Sequence, residues 1–215
     1  MKRILGGVLA VLAMLPARGH RLDECLQGSF VLVATHRVAV ELNLTPGVAV
    51  ADRILALADT DRDGAVSDAE SMAFGRVVSG SLSLEIDGTR RSLGLVGAAF
   101  PAAMDLRSGA GTIQLEYETS PLDLSAGRHR VRYGNRWEPV PSVYLANALM
   151  PAAHSIRVRA QHRDVRQSEL DMELDVVRDA NRRWWMPASV AFAVLGAGLL
   201  WWRRSGGRAA GSPAG

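Results

Sequence analysis

Cysteine occurs once in the 215 residues, at Cys25. A single thiol excludes an intramolecular disulfide and any C-x-x-C metal or redox pair. Cys25 reads instead as a small buried apolar side chain near the start of the first strand. Also missing are G-x-S-x-G, a glycine-rich phosphate loop, H-E-x-x-H and paired catalytic histidines. The five histidines, His20, His36, His129, His154 and His162, stand singly, so the sequence gives an enzyme no support. A basic footprint is lacking too, despite a sequence pI of about 9.6. Lys2, Arg3 and Arg18 fall in the first segment and Arg203, Arg204 and Arg208 in the last, and neither contains an acid. Setting these six aside turns the formal +3 into −3 for His20 to Arg183. Nucleic acid, which needs a basic patch, is therefore not the expected partner.

What is present is an acidic stretch, Asp59 to Glu70, reading D-T-D-R-D-G-A-V-S-D-A-E. Its spacing resembles the EF-hand calcium loop. There, side-chain oxygens at positions 1, 3 and 5, a backbone carbonyl at 7, a contact at 9 that often runs through water, and a carboxylate at 12 surround a hard cation. Asp59, Asp61, Asp63, Ala65, Ser67 and Glu70 occupy those positions in order, and Gly64 stands at the sharp turn that tolerates positive φ. Val66, at position 8, is the apolar residue that pins such a loop to its neighbours. The cofactor implied is calcium. Without a cation these carboxylates repel one another. No second loop of this kind is present, and a lone loop implies weak binding, with a dissociation constant of about 0.1 to 1 mM.

Both ends read as membrane-related. Lys2 and Arg3 precede an apolar run from Ile4 to Leu15, then Pro16 and Ala17-Arg18-Gly19, the pattern of a secretory signal peptide over residues 1–19. Trp184 to Trp202 carries no charge and, at about 1.5 Å per residue, reaches about 28 Å as a helix. Tryptophan pairs at both of its ends match interfacial belts, and Arg203 and Arg204 follow directly. The expected layout is an extracytoplasmic domain at 20–181 in a bacterial cell envelope, a single transmembrane helix at 184–202 anchored in the inner membrane, and a cytoplasmic tail at 203–215.

Between the ends, two-residue periodicity dominates. Ser29 to Ala34 and Arg37 to Leu44 read as strands, the second with Val38, Val40, Leu42 and Leu44 on one face. Thr45 is the expected cap of a helix starting at Pro46 and presenting Val50, Ile54 and Leu57. A second helix leaves the acidic loop at about Asp68 and runs through Met72, Phe74, Val77 and Val78 to Gly80. Leu82, Leu84 and Ile86 then alternate up to Asp87-Gly88, a hairpin signal. A strict two-residue turn there puts Arg91 opposite buried Leu84, so a bulge or longer loop is expected. Further strands carry Ile113, Leu115 and Tyr117; His129, Val131 and Tyr133; Val143 to Met150; and the hairpin Ile156 to His162 with Leu170 to Val176. Arg128, Arg130 and Arg132 are expected to face Glu116 and Glu118 across neighbouring strands, and Arg157, Arg159 and Arg163 to face Glu169, Asp171, Glu173 and Asp175. About nine strands make the expected fold mainly β, an Ig-like β-sandwich with a helix-loop-helix inserted at 46–79.

Cleavage before His20 creates an amine beside an imidazole, a donor pair suited to copper or nickel. The start His20-Arg21-Leu22-Asp23-Glu24, the segment Leu42-Asn43-Leu44-Thr45-Pro46-Gly47 and the acidic loop, in this order, resemble bacterial extracytoplasmic domains, some of which precede nickel or cobalt permeases of the hydrogenase and urease type. That resemblance implies an alternative role as an accessory domain in nickel, cobalt or copper transport or homeostasis. The chain departs from those proteins in ending with one span rather than a polytopic transporter. The primary expectation is a calcium-binding, membrane-anchored module for a protein partner in the envelope.

Overall fold

The structure is a computed structural model that describes residues 22–149 and 155–177. The expected signal peptide, transmembrane helix and tail, and His20, lie outside those residues. No helix among the described residues is long and apolar enough to cross a membrane.

The chain is mainly β. Its strands are β1 (Cys25–Ala34), β2 (Arg37–Pro46), β3 (Leu82–Ile86), β4 (Thr89–Arg91), β5 (Leu93–Ala99), β6 (Ile113–Thr119), β7 (Gly127–Asn135), β8 (Ser142–Ala148), β9 (Ile156–Arg163) and β10 (Glu169–Val176). Among the described residues they form two five-stranded sheets, β5-β6-β2-β1-β8 and β4-β3-β7-β10-β9. All pairs are antiparallel except β1 with β8. Alternation places Leu42, Leu44, Ile113, Leu115 and Tyr117 of the first sheet and Leu84, Val131, Tyr133, Met172 and Leu174 of the second in one shared core. The expected inward faces of β2, β3, β6 and β7 are thus the observed ones. A buried polar chain stitches the sheets together. Asn135 Nδ2 donates to Gln27 Oε1 (2.8 Å), Gln27 Nε2 donates to the Trp137 carbonyl (2.8 Å), and Tyr133 OH donates to Ser29 Oγ (3.0 Å).

Between β2 and β3 the chain forms α1 (Val48–Ala58) and α2 (Asp68–Ser79), and α3 (Ala103–Arg107) follows β5. Thr45 does not cap α1. Pro46 ends β2, Gly47 is the N-cap without a side-chain bond, and Thr45 Oγ1 lies 2.8 Å from Thr112 Oγ1. The strand wins because residues 39 to 44 are held on both sides, by β1 and β6. Two expected helix contacts are also corrected, since Leu57 and Val77 are 50% and 72% exposed. The buried faces are Val50, Ala51, Ile54, Leu55 and Ala58 on α1, and Glu70, Ser71, Phe74, Gly75 and Val78 on α2. α2 lies close on β5: a methyl on Gly75 would stand 2.8 Å from Leu95 Cδ1, and the Gly75 carbonyl accepts from Tyr117 OH at 2.9 Å. Phe74 meets Phe100 and Trp137 edge-on, at 5.2 and 5.5 Å between ring centroids.

The Asp87-Gly88 turn has two residues after all, with φ of 50° and 77°, and Leu84 does pair with Arg91. No bulge is needed because β4 is a three-residue edge strand whose side chains are all exposed. The charge runs are also redistributed. β7 pairs with β10 and β3 rather than β6, so Arg130 and Arg132 bond Asp171, at 2.8 and 3.2 Å. Arg159 pairs with Asp175 as expected, whereas Arg163 turns to the Ala146 carbonyl and to Asn147.

Candidate metal centre

The linker from Asp59 to Ser67 joins α1 to α2. It turns back on itself through two residues with positive φ, Arg62 at 63° and Gly64 at 91°. No atom of the described residues lies within 4 Å of where a Gly64 Cβ would stand, so backbone conformation favours glycine there. Each aspartate uses one oxygen to satisfy a loop N–H. Gly64 N donates to Asp59 Oδ2 (3.0 Å), Asp63 N to Asp61 Oδ1 (3.1 Å) and Ala65 N to Asp63 Oδ1 (2.8 Å). These bonds point the three side chains inward, and one oxygen from each of Asp59, Asp61 and Asp63 lies within 4.8 Å of the others. Asp59 Oδ1 is buried and, among the described residues, has no hydrogen-bond partner. A buried carboxylate oxygen without a donor is costly, and three converging carboxylates offer oxygen donors of the kind hard cations take.

The other expected ligands are placed differently. Glu70 Oε1 accepts from Thr60 N (2.6 Å), Thr60 Oγ1 (2.9 Å) and Asp61 N (3.3 Å), while Oε2 accepts from Ser67 N (3.0 Å) and Ser67 Oγ (2.8 Å). Glu70 therefore ties the start of the loop to the start of α2 and stands apart from the aspartate cluster. Bonds from Ser67, then from Thr60, outweigh burial and hold its carboxyl at about 2. Ser67 is engaged as the N-cap of α2 in a reciprocal capping box with Glu70. Ala65 donates its N–H to Asp63, and Val66 packs partly buried against the core. Three of the six candidate positions, Asp59, Asp61 and Asp63, are thus brought together. The capping box is legible as S-x-x-E at Ser67 and Glu70, a signal that also predicts where the Glu70 carboxylate goes.

Among the described residues, no histidine joins this or any other cluster of metal-ligand type. His129 is committed elsewhere, with Nδ1 2.7 Å from Asp87 Oδ2 and Nε2 2.8 Å from the Ser125 carbonyl. Cys25 is fully buried at the start of β1, and burial pushes its thiol up to about 12, which makes it a poor ligand and nucleophile. No family model, curated protein or solved structure matches the chain. The resemblance to EF-hand loops therefore rests on the spacing of these residues, of which the structure groups Asp59, Asp61 and Asp63.

Proposed function

We propose that the protein is a calcium-binding module whose ion is held between α1 and α2 by Asp59, Asp61 and Asp63. Glu70 and Ser67 hold the loop ends, and the Ala65 carbonyl is a further candidate donor. The observation that carries this reading is the buried, unpartnered Asp59 Oδ1 within a group of three converging carboxylates. An all-oxygen donor set favours calcium, magnesium or manganese over zinc, copper or nickel, and an irregular, partly carboxylate shell suits calcium better than the strict octahedron of magnesium. The proposed mechanism is electrostatic: the ion relieves repulsion within the loop and braces the two helices, which in turn steady the sheet surface against which α2 packs.

The sandwich is proposed to be Ig-like. The order β1-β2-β6-β5 in one sheet and β4-β3-β7-β10 in the other corresponds to A-B-E-D and C′-C-F-G, with β8 and β9 added at the edges and the helix pair inserted between B and C. The apolar runs at the two ends of the sequence support an envelope protein anchored by one span, with this domain outside and a protein partner as its target.

Melting of the full-length protein in chelator and in calcium tests the function. At ten times the dissociation constant, calcium should add about 1.4 kcal/mol to the wild type and nothing to Asp59→Asn. Equal stabilisation of both proteins would remove the loop as the site.

A further inference from the structure

The outer face of the first sheet does not look like a face made only for water. Across four strands, Phe30, Glu41, Glu116 and Gly97 stand directly opposite one another in a row, and Leu32, Ala39 and Glu118 form the row beside it. A groove of ≈ 90 Å³ runs between the rows, with Val96 and Leu149, 55% and 38% exposed, at its flanks. Its size suits the end of a side chain. Glu41 and Glu116 are like charges in directly opposed positions, an arrangement that destabilises a sheet. Arg37 bonds Glu118 at 3.2 Å and Asn43 donates to Glu41 at 2.8 Å, but no ion pair reaches Glu116 among the described residues. Room for its carboxylate comes from Gly97, where an added methyl would stand 3.2 Å from Glu116 Oε2, beside a shift in the β5–β6 register. Burial first, then the charges of Glu41 and Glu118, hold the Glu116 carboxyl above the ordinary range.

We propose that this face docks a segment of a partner protein that presents an arginine or lysine between apolar side chains. The cation enters between Glu41 and Glu116, and its neighbours cover Phe30, Leu32, Val96 and Leu149. Charge complementarity selects this occupant: a cation removes a repulsion that the free protein retains, and apolar flanks remove exposed hydrocarbon from water. An anionic lipid surface would be repelled by the same carboxylates.

The test is titration of the full-length protein with two acetylated, amidated peptides, Leu-Arg-Leu-Arg-Leu and Leu-Gln-Leu-Gln-Leu, with Glu116→Gln and Val96→Ser as variants. The arginine peptide should bind about tenfold or more tighter than the glutamine peptide. Glu116→Gln should remove that preference without lowering the melting temperature, since it relieves a repulsion, and Val96→Ser should weaken both peptides. Should Glu116→Gln fail to fold, Glu41→Gln carries the same expectation. Several results would overturn the proposal: no binding of the arginine peptide, equal binding of the two peptides, a preference that survives in the folded glutamine variant, self-association of the protein through this face, or recruitment to phosphatidylserine vesicles that Val96→Ser abolishes.

Discussion

His129 holds two acceptors at once, the Asp87 carboxylate and the Ser125 carbonyl, which requires a proton on both ring nitrogens. Burial pulls its pKa down, but the Asp87 hydrogen bond, the Ser125 carbonyl and the Asp87 charge together leave it above the ordinary 6.5. A raised folded-state value means that the stabilisation is complete below pH 6.5 and is lost as pH rises through the folded pKa. For Asp87, burial raises the pKa, but the Arg130 N–H and His129 hold it below 3.8, so its contribution is lost as pH falls through that lowered value. Melting temperature should therefore decline as pH rises above 6.5 and through the raised His129 pKa, and Asp87→Asn, which keeps a residue tolerant of the turn, should flatten that decline. Parallel profiles for the two proteins would refute the pairing. The lone cysteine gives a second residue-scale expectation: Cys25 should be unreactive toward a thiol reagent in the native protein and should react once denatured.

On the scale of single elements, the two helices show where sequence patterning is blind. Each residue advances a helix by about 100°, and the buried arcs extend from Val50 toward Ala51, Leu55 and Ala58 on α1, and from Glu70 toward Ser71, Gly75 and Val78 on α2. Leu57 and Val77 fall just past the opposite edge of those arcs. Small residues mark the side of closest approach, yet they contribute little to an apolar pattern. Phe74 was legible as a core residue, and its place between Phe100 and Trp137 makes Phe74→Ala a cavity-forming change that should cost about 3 to 5 kcal/mol by denaturant unfolding. Within β7, Asn135→Ala should cost about 1 to 3 kcal/mol, because Gln27 Oε1 and the Trp137 N–H lose their partner inside the protein. In the loop, Gly64→Ala should cost about 1 to 2 kcal/mol through its positive φ alone.

For the molecule as a whole, alternation gave β2, β3, β6 and β7 their inward faces but not their neighbours. Sequence-adjacent strands pair more often than not, which is why Arg128, Arg130 and Arg132 were expected beside Glu116 and Glu118. Here the chain crosses from one sheet to the other between β6 and β7. The acids of β10 therefore receive Arg130, Arg132 and Arg159, and Glu116 is left in the row with Glu41. Half of the candidate site was legible in the acidic loop, because the spacing of its aspartates is local. The turn at Gly64 and the convergence of Asp59, Asp61 and Asp63 follow that spacing, whereas the inward commitment of Glu70 follows from helix capping, which competes for the same carboxylate.

The loop from Asp59 to Glu70 is proposed to take a hard divalent cation. Calorimetric titration of the chelator-treated full-length protein with calcium should show one site with a dissociation constant of about 0.1 to 1 mM, weaker binding of magnesium, and no site in Asp59→Asn/Asp61→Asn. Absence of binding at several millimolar calcium, or the same isotherm in the double variant, would contradict the account.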